Sequence, residues 1–189
     1  MTTTKVLRPF LLALFLLPFG ALGCSDDDSQ AQDASVPDAA PDADLPDFPN
    51  PARVLRVIDG DTLEVRFRER EITVRLLGVN TPELNPSPEP YANEARQFTI
   101  DHAPPTFTVG LEFDDPDCGV IPFPSSCFDI YDRMLAYVRT PDEEDLNALL
   151  LENGLARVFN SEDFDRKNSY LQLESQAQQA WATARQDSD

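Results

Sequence analysis

The sequence predicts an α+β, mainly β domain: a small closed barrel of five strands with three packed helices. Three observations carry that expectation. Short β-branched and apolar segments recur with tight turns between them, one helical segment falls between the third and fourth strands, and two more follow the fifth. There is no internal repeat and no G-x-G-x-x-G loop, so nucleotide-cofactor folds have no support.

Ahead of the domain, Lys5 and Arg8 precede an apolar run from Pro9 to about Phe19. A run of about a dozen residues is short of the roughly 20 that cross a bilayer, so residues 1–24 read as a signal peptide. Ala21-Leu22-Gly23-Cys24 resembles a bacterial lipobox, with Cys24 as the lipidated mature N-terminus; an ordinary signal peptide with a chance cysteine is the alternative. Ser25 beside it resembles the signal for outer-membrane export. The lipobox therefore implies an envelope protein held to the membrane by an N-terminal lipid. Residues 25–50 carry eight Asp and no basic residue, too few apolar groups to offset the entropy of ordering. They are expected to form an acidic, extended spacer.

The domain itself is expected over residues 51–189, one core's worth of chain. Arg53–Ile58 is apolar and β-branched and stops at Asp59-Gly60, a tight-turn dipeptide. Thr62–Phe67 alternates as a half-buried strand does, and Ile72–Val79 makes a third, completing an antiparallel meander. After the proline-rich 81–90 loop, Tyr91–His102 has helical spacing and ends at Pro104-Pro105. Thr106–Phe113 and Arg133–Arg139 supply strands four and five around an inserted loop with Cys118 and Cys127. Glu143–Asn153, capped by Asp142 and stopped by Gly154, is a helix, and 163–184 is the last, packing through Tyr170, Leu171, Leu173, Ala177, Ala180 and Trp181. This order suits a barrel of the oligonucleotide-binding type, the OB-fold.

Cys118 and Cys127 are expected to form a disulfide in an oxidising compartment, closing a loop worth at most about 3 kcal/mol. A metal site is the alternative, but the chain's one histidine, His102, is expected to be a solvated surface residue. Without a histidine base, serine and cysteine hydrolase readings fail. The net charge of -19 opposes a nucleic-acid partner at first sight. Its distribution weakens that objection: residues 51–100 hold seven Arg against eight acids, whereas 101–189 hold six basic residues against 18 acids.

The polar groups that stand out surround two turns. Asp59 and Asp61 flank Gly60, while Arg75 lies on a strand with Asn80, Thr81 and Glu83 just past its end. Oxygen donors of this kind suit a hard cation such as Ca²⁺. Singly, each has a bland account as a turn or surface residue; together they do not.

Four segments in order, Asp59–Thr62, Arg75–Glu83, Tyr131–Tyr137 and Asn147–Val158, resemble the staphylococcal nuclease family, over about 130 residues. The resemblance implies a Ca²⁺-dependent hydrolase of DNA or RNA. It assigns the metal to Asp61, Asn80 and the Thr81 carbonyl, the attacking water to Glu83, the phosphate to Arg75 and Arg133, and a nucleotide contact to Tyr131. This chain departs from the best-known members at Asn80, where they carry Asp, and at Asp132, where a small residue precedes the arginine. Asp132 is expected to pair with Arg133, and the cysteine loop to narrow substrate access. Nothing in the sequence suggests more than a monomer. The competing readings are a catalytically dead nucleic-acid-binding barrel and a structural surface lipoprotein.

Overall fold

The computed structural model describes residues 47, 48, 50–161 and 163–186. The signal segment, Cys24 and most of the acidic spacer lie outside the described residues. Phe48, at the spacer's end, is buried against Gly110, and Asn50 donates to the Leu111 carbonyl at 3.1 Å. Packing therefore begins just before Pro51.

Five strands close the barrel in the order β1-β2-β3-β6-β5, with β5 returning to β1. They are β1 (Pro51–Asp59), β2 (Thr62–Phe67), β3 (Arg70–Leu76), β5 (Thr108–Glu112) and β6 (Met134–Arg139). All neighbours are antiparallel except β3 and β6, which run parallel, as the intervening helix and β5 allow. Val54, Leu63, Val65, Phe67, Val74, Leu76, Val109, Leu111, Met134 and Ala136 fill the inside, each fully or almost fully buried. At about 1.5–3 kcal/mol for each large side chain, this alternation is the main drive for closure.

The expected third strand is broken. Gly78 turns with φ +79°, and beyond it β4 (Val79–Asn80) leaves the barrel to pair with β7 (Arg157–Val158) in a separate two-stranded ribbon. A side chain at Gly78 would also collide with the Phe164 ring. The turn is pinned from the other side by buried Asn147, whose Nδ2 donates to the Leu77 carbonyl at 3.0 Å and whose Oδ1 accepts from the Val138 amide at 3.1 Å.

Helix α1 (Ala92–His102) lays Ala92, Ala95 and Thr99 on β1. His102 is half-buried, not solvated: its ring stacks on Phe98 at 4.0 Å and Nδ1 lies 2.8 Å from the Phe98 carbonyl. Helix α2 (Leu146–Glu152) starts three residues later than expected, and its cap is Asp145, whose carboxylate accepts from the Ala148 amide at 3.1 Å. Asp142 misses the role because the chain first closes a turn through Thr140 and Glu143, the latter at φ 63°. Helix α3 (Lys167–Gln186) buries Tyr170 and Ala177 and half-buries Leu171 and Leu173, whereas Ala180 and Trp181 stay exposed. The two cysteines form the disulfide Cys118–Cys127, which disposes of the metal alternative for that pair. Their loop places Phe123 on Phe67 with ring centroids 5.6 Å apart, over the far end of β2.

Candidate active site

The tight turn between β1 and β2 sets Asp59 and Asp61 against the start of the 81–90 loop. Gly60 allows the approach, since a Cβ there would meet Thr81 Oγ1 at 2.7 Å and Ala95 at 2.8 Å. Thr99 of α1 fastens the turn by donating its hydroxyl to the Gly60 carbonyl at 2.6 Å. Asp61 is 3% exposed, and its Oδ2 accepts from the Thr81 amide at 2.7 Å and the Thr81 hydroxyl at 3.0 Å.

The same oxygen lies 3.1 Å from Arg75 Nη1. That guanidinium, 9% exposed as a residue, is itself held by the Val79 carbonyl at 2.8 Å and the Leu76 carbonyl at 3.1 Å, and its Nη2 donates to Asn80 Oδ1 at 2.9 Å. The break at Gly78 makes this possible. By folding β4 back, it brings the Val79 carbonyl and Asn80 over the arginine that β3 presents.

Asp59 completes the cluster. Burial first, and then the neighbouring Asp61 carboxylate, push its carboxyl up to about 6. The Asp61 amide donates to Asp59 Oδ1 at 3.2 Å, which holds both aspartates in the one turn.

Arg133 stands at the entry to β6, one strand over from Arg75, whose register partner is Leu135. Its guanidinium is gripped by Asp129, with Nε at 2.8 Å and Nη2 at 2.7 Å from Oδ2, and lies 5.3 Å from the exposed Tyr131 ring. The expected pairing of Asp132 with Arg133 is wrong. Asp132 occupies the turn at φ 62°, and Asp129, four residues before the arginine, supplies the partner while also accepting from the Tyr131 and Arg133 amides. Burial opposes ionisation of Asp129, but the donors from Arg133 and the Tyr131 amide outweigh it and hold its carboxyl below the usual range. Glu83 is exposed on the loop two residues past Thr81, its backbone amide tied to the Glu89 carboxylate at 3.0 Å.

Residues 73–182, more than half of the chain, match the family model described as staphylococcal nuclease homologue. The chain belongs to the staphylococcal nuclease family. This homologue is 35% identical over 130 residues to the thermonuclease of Staphylococcus hyicus, covering 67% of the chain and 70% of that protein. It is 39% identical over 109 residues to the thermonuclease of Staphylococcus intermedius, covering 56% and 57%. With Bacillus subtilis endonuclease YncB it shares 37% over 106 residues, 54% of the chain and 45% of that protein. These relatives support a nucleic-acid phosphodiesterase on the OB barrel found here.

The staphylococcal nuclease homologue offers a hard cation only oxygen. Among the described residues, no three His, Cys, Asp or Glu side chains gather in a way that would hold a metal. Asp61, with Asp59 beside it, must be supplemented by the Asn80 amide oxygen and the Thr81 carbonyl, which lies 3.4 Å from Asn80 Nδ2. A donor set of oxygen alone is the kind that suits Ca²⁺. The structure brings Asp61, Arg75, Asn80 and Thr81 into contact and sets Arg133 on the adjacent strand. It leaves Glu83 and Tyr131 at the exposed margin, Glu83 tied through its amide to Glu89 and the Tyr131 ring beside Arg133.

Sequence reasoning noticed Asp59 only as half of a turn, and missed Asp129 and Asn147 as supports. Asp129 had a signal, its spacing of four before Arg133. Asn147 opens the Asn147–Val158 segment that resembles the family, but its structural role was not legible, because its backbone partners lie 9, 11 and 70 residues away.

Proposed function

We propose that this protein is a Ca²⁺-dependent nuclease that hydrolyses phosphodiester bonds of DNA or RNA at the cell envelope. The observation that carries it is one connected cluster of charge and hard oxygen: buried Asp61 accepts from the Thr81 amide and hydroxyl and pairs with Arg75, whose Nη2 donates to Asn80, and Arg133 stands at the entry to the next strand. Asp61, Asn80 and the Thr81 carbonyl hold the ion. Bound there, Ca²⁺ supplies Lewis acidity toward a phosphoryl oxygen and orders water. Arg75 and Arg133 offer forked donors to the phosphate and to the charge that grows as it becomes five-coordinate. Glu83, exposed on the loop beyond Thr81, takes the proton of the attacking water. Tyr131, beside Arg133, contacts the nucleotide. A monomer suffices, since one chain carries every residue named.

Denatured DNA incubated with the purified protein in millimolar Ca²⁺ tests this. Cleavage that disappears with EDTA and with Glu83→Ala, at unchanged folding, is expected. A folded protein that binds DNA without cutting it would replace the nuclease with a binding barrel. Envelope attachment through Cys24 is tested separately, by fatty-acid labelling in cells. Label lost in Cys24→Ser supports the anchor, and label absent from the parent protein removes it.

A further inference from the structure

The barrel's outer face extends beyond the catalytic arginines, and it does so with more arginine. Residues paired across strands share a face of the sheet. One row holds Thr62 of β2, Arg75 of β3 and Leu135 of β6. The next holds Arg56, Glu64 and Thr73; Arg133, which precedes the Val74 partner Met134, stands at its β6 end. A third row holds Arg53, Arg66 and Glu71. Rows two residues apart on a strand are about 6.5 Å apart, which sets the Arg53–Arg66 row roughly 13 Å from the Arg75 row.

Sheet stability does not account for this third row. Arg53 and Arg66 are direct cross-strand partners, and like charges so placed destabilise a sheet. Glu71 meets Arg66 at 2.7 Å, but Arg53 is exposed and makes no ion pair among the described residues. The pairs Arg56–Glu64 and Arg66–Glu71 are themselves exposed, with arginine side chains 65% and 51% accessible. Such pairs are worth at most about 1 kcal/mol, so a phosphate can displace their carboxylates. In a chain of charge -19, this concentration of arginine on the one face that also carries Arg75 and Arg133 calls for an anionic partner continuous with the site.

We propose that the outer face of β1 and β2, through Arg53, Arg56 and Arg66, holds backbone phosphates of a polymeric nucleic acid beyond the bond gripped at Arg75 and Arg133. The inference rests on the nuclease reading of that site and specifies its substrate as chains long enough to span three rows. A trinucleotide reaches the site without the track.

The test compares the purified protein with Arg53→Ser/Arg66→Ser, and with Arg53→Lys/Arg66→Lys as the charge-preserving control. Binding of a fluorescein-labelled 30-mer single strand and of a labelled trinucleotide is followed from 50 to 200 mM salt, alongside KM and kcat for both. For the serine variant, loss of two phosphate contacts lowers the salt slope for the 30-mer by about 1.4 and raises its KM about tenfold, with kcat kept. The trinucleotide is unaffected, and the lysine variant restores the 30-mer. Unchanged 30-mer binding overturns the proposal, as does an equal loss on both substrates. So does a serine variant that loses only adsorption to phosphatidylglycerol vesicles, which would make the face a lipid contact. If the parent protein cuts neither substrate, the nuclease reading falls, while the 30-mer slope still decides the track.

Discussion

Asn80 and Asp61 both face the Arg75 guanidinium, so the charge of one residue sets how much negative potential is left for a cation. Replacing Asn80 by Asp adds a carboxylate to the donor set. The expected outcome is a several-fold lower Ca²⁺ concentration for half-maximal activity, read from a calcium titration. An unchanged midpoint would take Asn80 out of the donor set. Asp129 and Asp132 bracket the turn before Arg133 but have opposite roles. Asp129→Ala releases the guanidinium and is expected to cost roughly ten- to a hundredfold in kcat/KM on DNA. Asp132→Gly relieves a left-handed φ of 62° and is expected to add up to about 1 kcal/mol in urea melts, with activity kept. The family's small residue at that position now has a conformational reason, where the sequence alone suggested that Asp132 would pair with Arg133. Asp61, Arg75 and Thr81 were legible as a group because two turns announce them. Asp59 was not separable from its turn until burial beside Asp61 was visible.

Gly78 divides one expected strand into β3 and β4, and this break is the element on which the site depends. Periodicity ran unbroken through Ile72–Val79, so only the pairing of Val79 with Val158, far along the chain, shows where the strand leaves the barrel. Gly78→Ala meets both the positive φ and the Phe164 ring, and chemical denaturation should show a loss of about 2–4 kcal/mol. At α2, Asp145 caps the helix and also meets Arg166 at 2.7 Å and the Tyr170 hydroxyl at 3.0 Å. Asp145→Ala is therefore expected to cost about 2 kcal/mol or more, and Asp142→Ala close to nothing. Equal losses in the two variants would return the cap to Asp142. Both aspartates satisfy a capping pattern in sequence; the turn through Thr140 and Glu143 chooses between them.

Across the molecule, the α3 entrance is joined to the barrel by a mixed network. Glu112 of β5 meets Arg139 of β6 at 2.7 Å and also pairs with Arg166, which lies over the Tyr137 ring at 3.9 Å. Burial works against the Glu112 charge, but hydrogen bonds from Arg139 and Arg166 prevail and keep its carboxyl below the ordinary glutamate value. A folded-state value below the unfolded one stabilises the protein above the ordinary carboxylate range, and that stability fades as pH falls through the depressed value. Acid melts of Glu112→Gln should start from lower stability near neutrality and fall less steeply with acid; parallel curves would discount the network. The five-stranded barrel and its packed helices were foreseeable because alternation and turn chemistry are local, whereas the strand order rests on long-range pairs such as β3 with β6. The network was not, since its members sit in β5, β6, α2 and the approach to α3. The same assembly presents the chain's one tryptophan, Trp181, more than half exposed, with its indole Nε1 2.7 Å from where a Cβ on Gly154 would lie. The indole sits at the seam between the end of α2 and the last turns of α3. Its emission is thus a private channel on that seam: a spectral shift that precedes loss of the barrel's circular dichroism would time the peeling of α3 separately from the melting of the sheet.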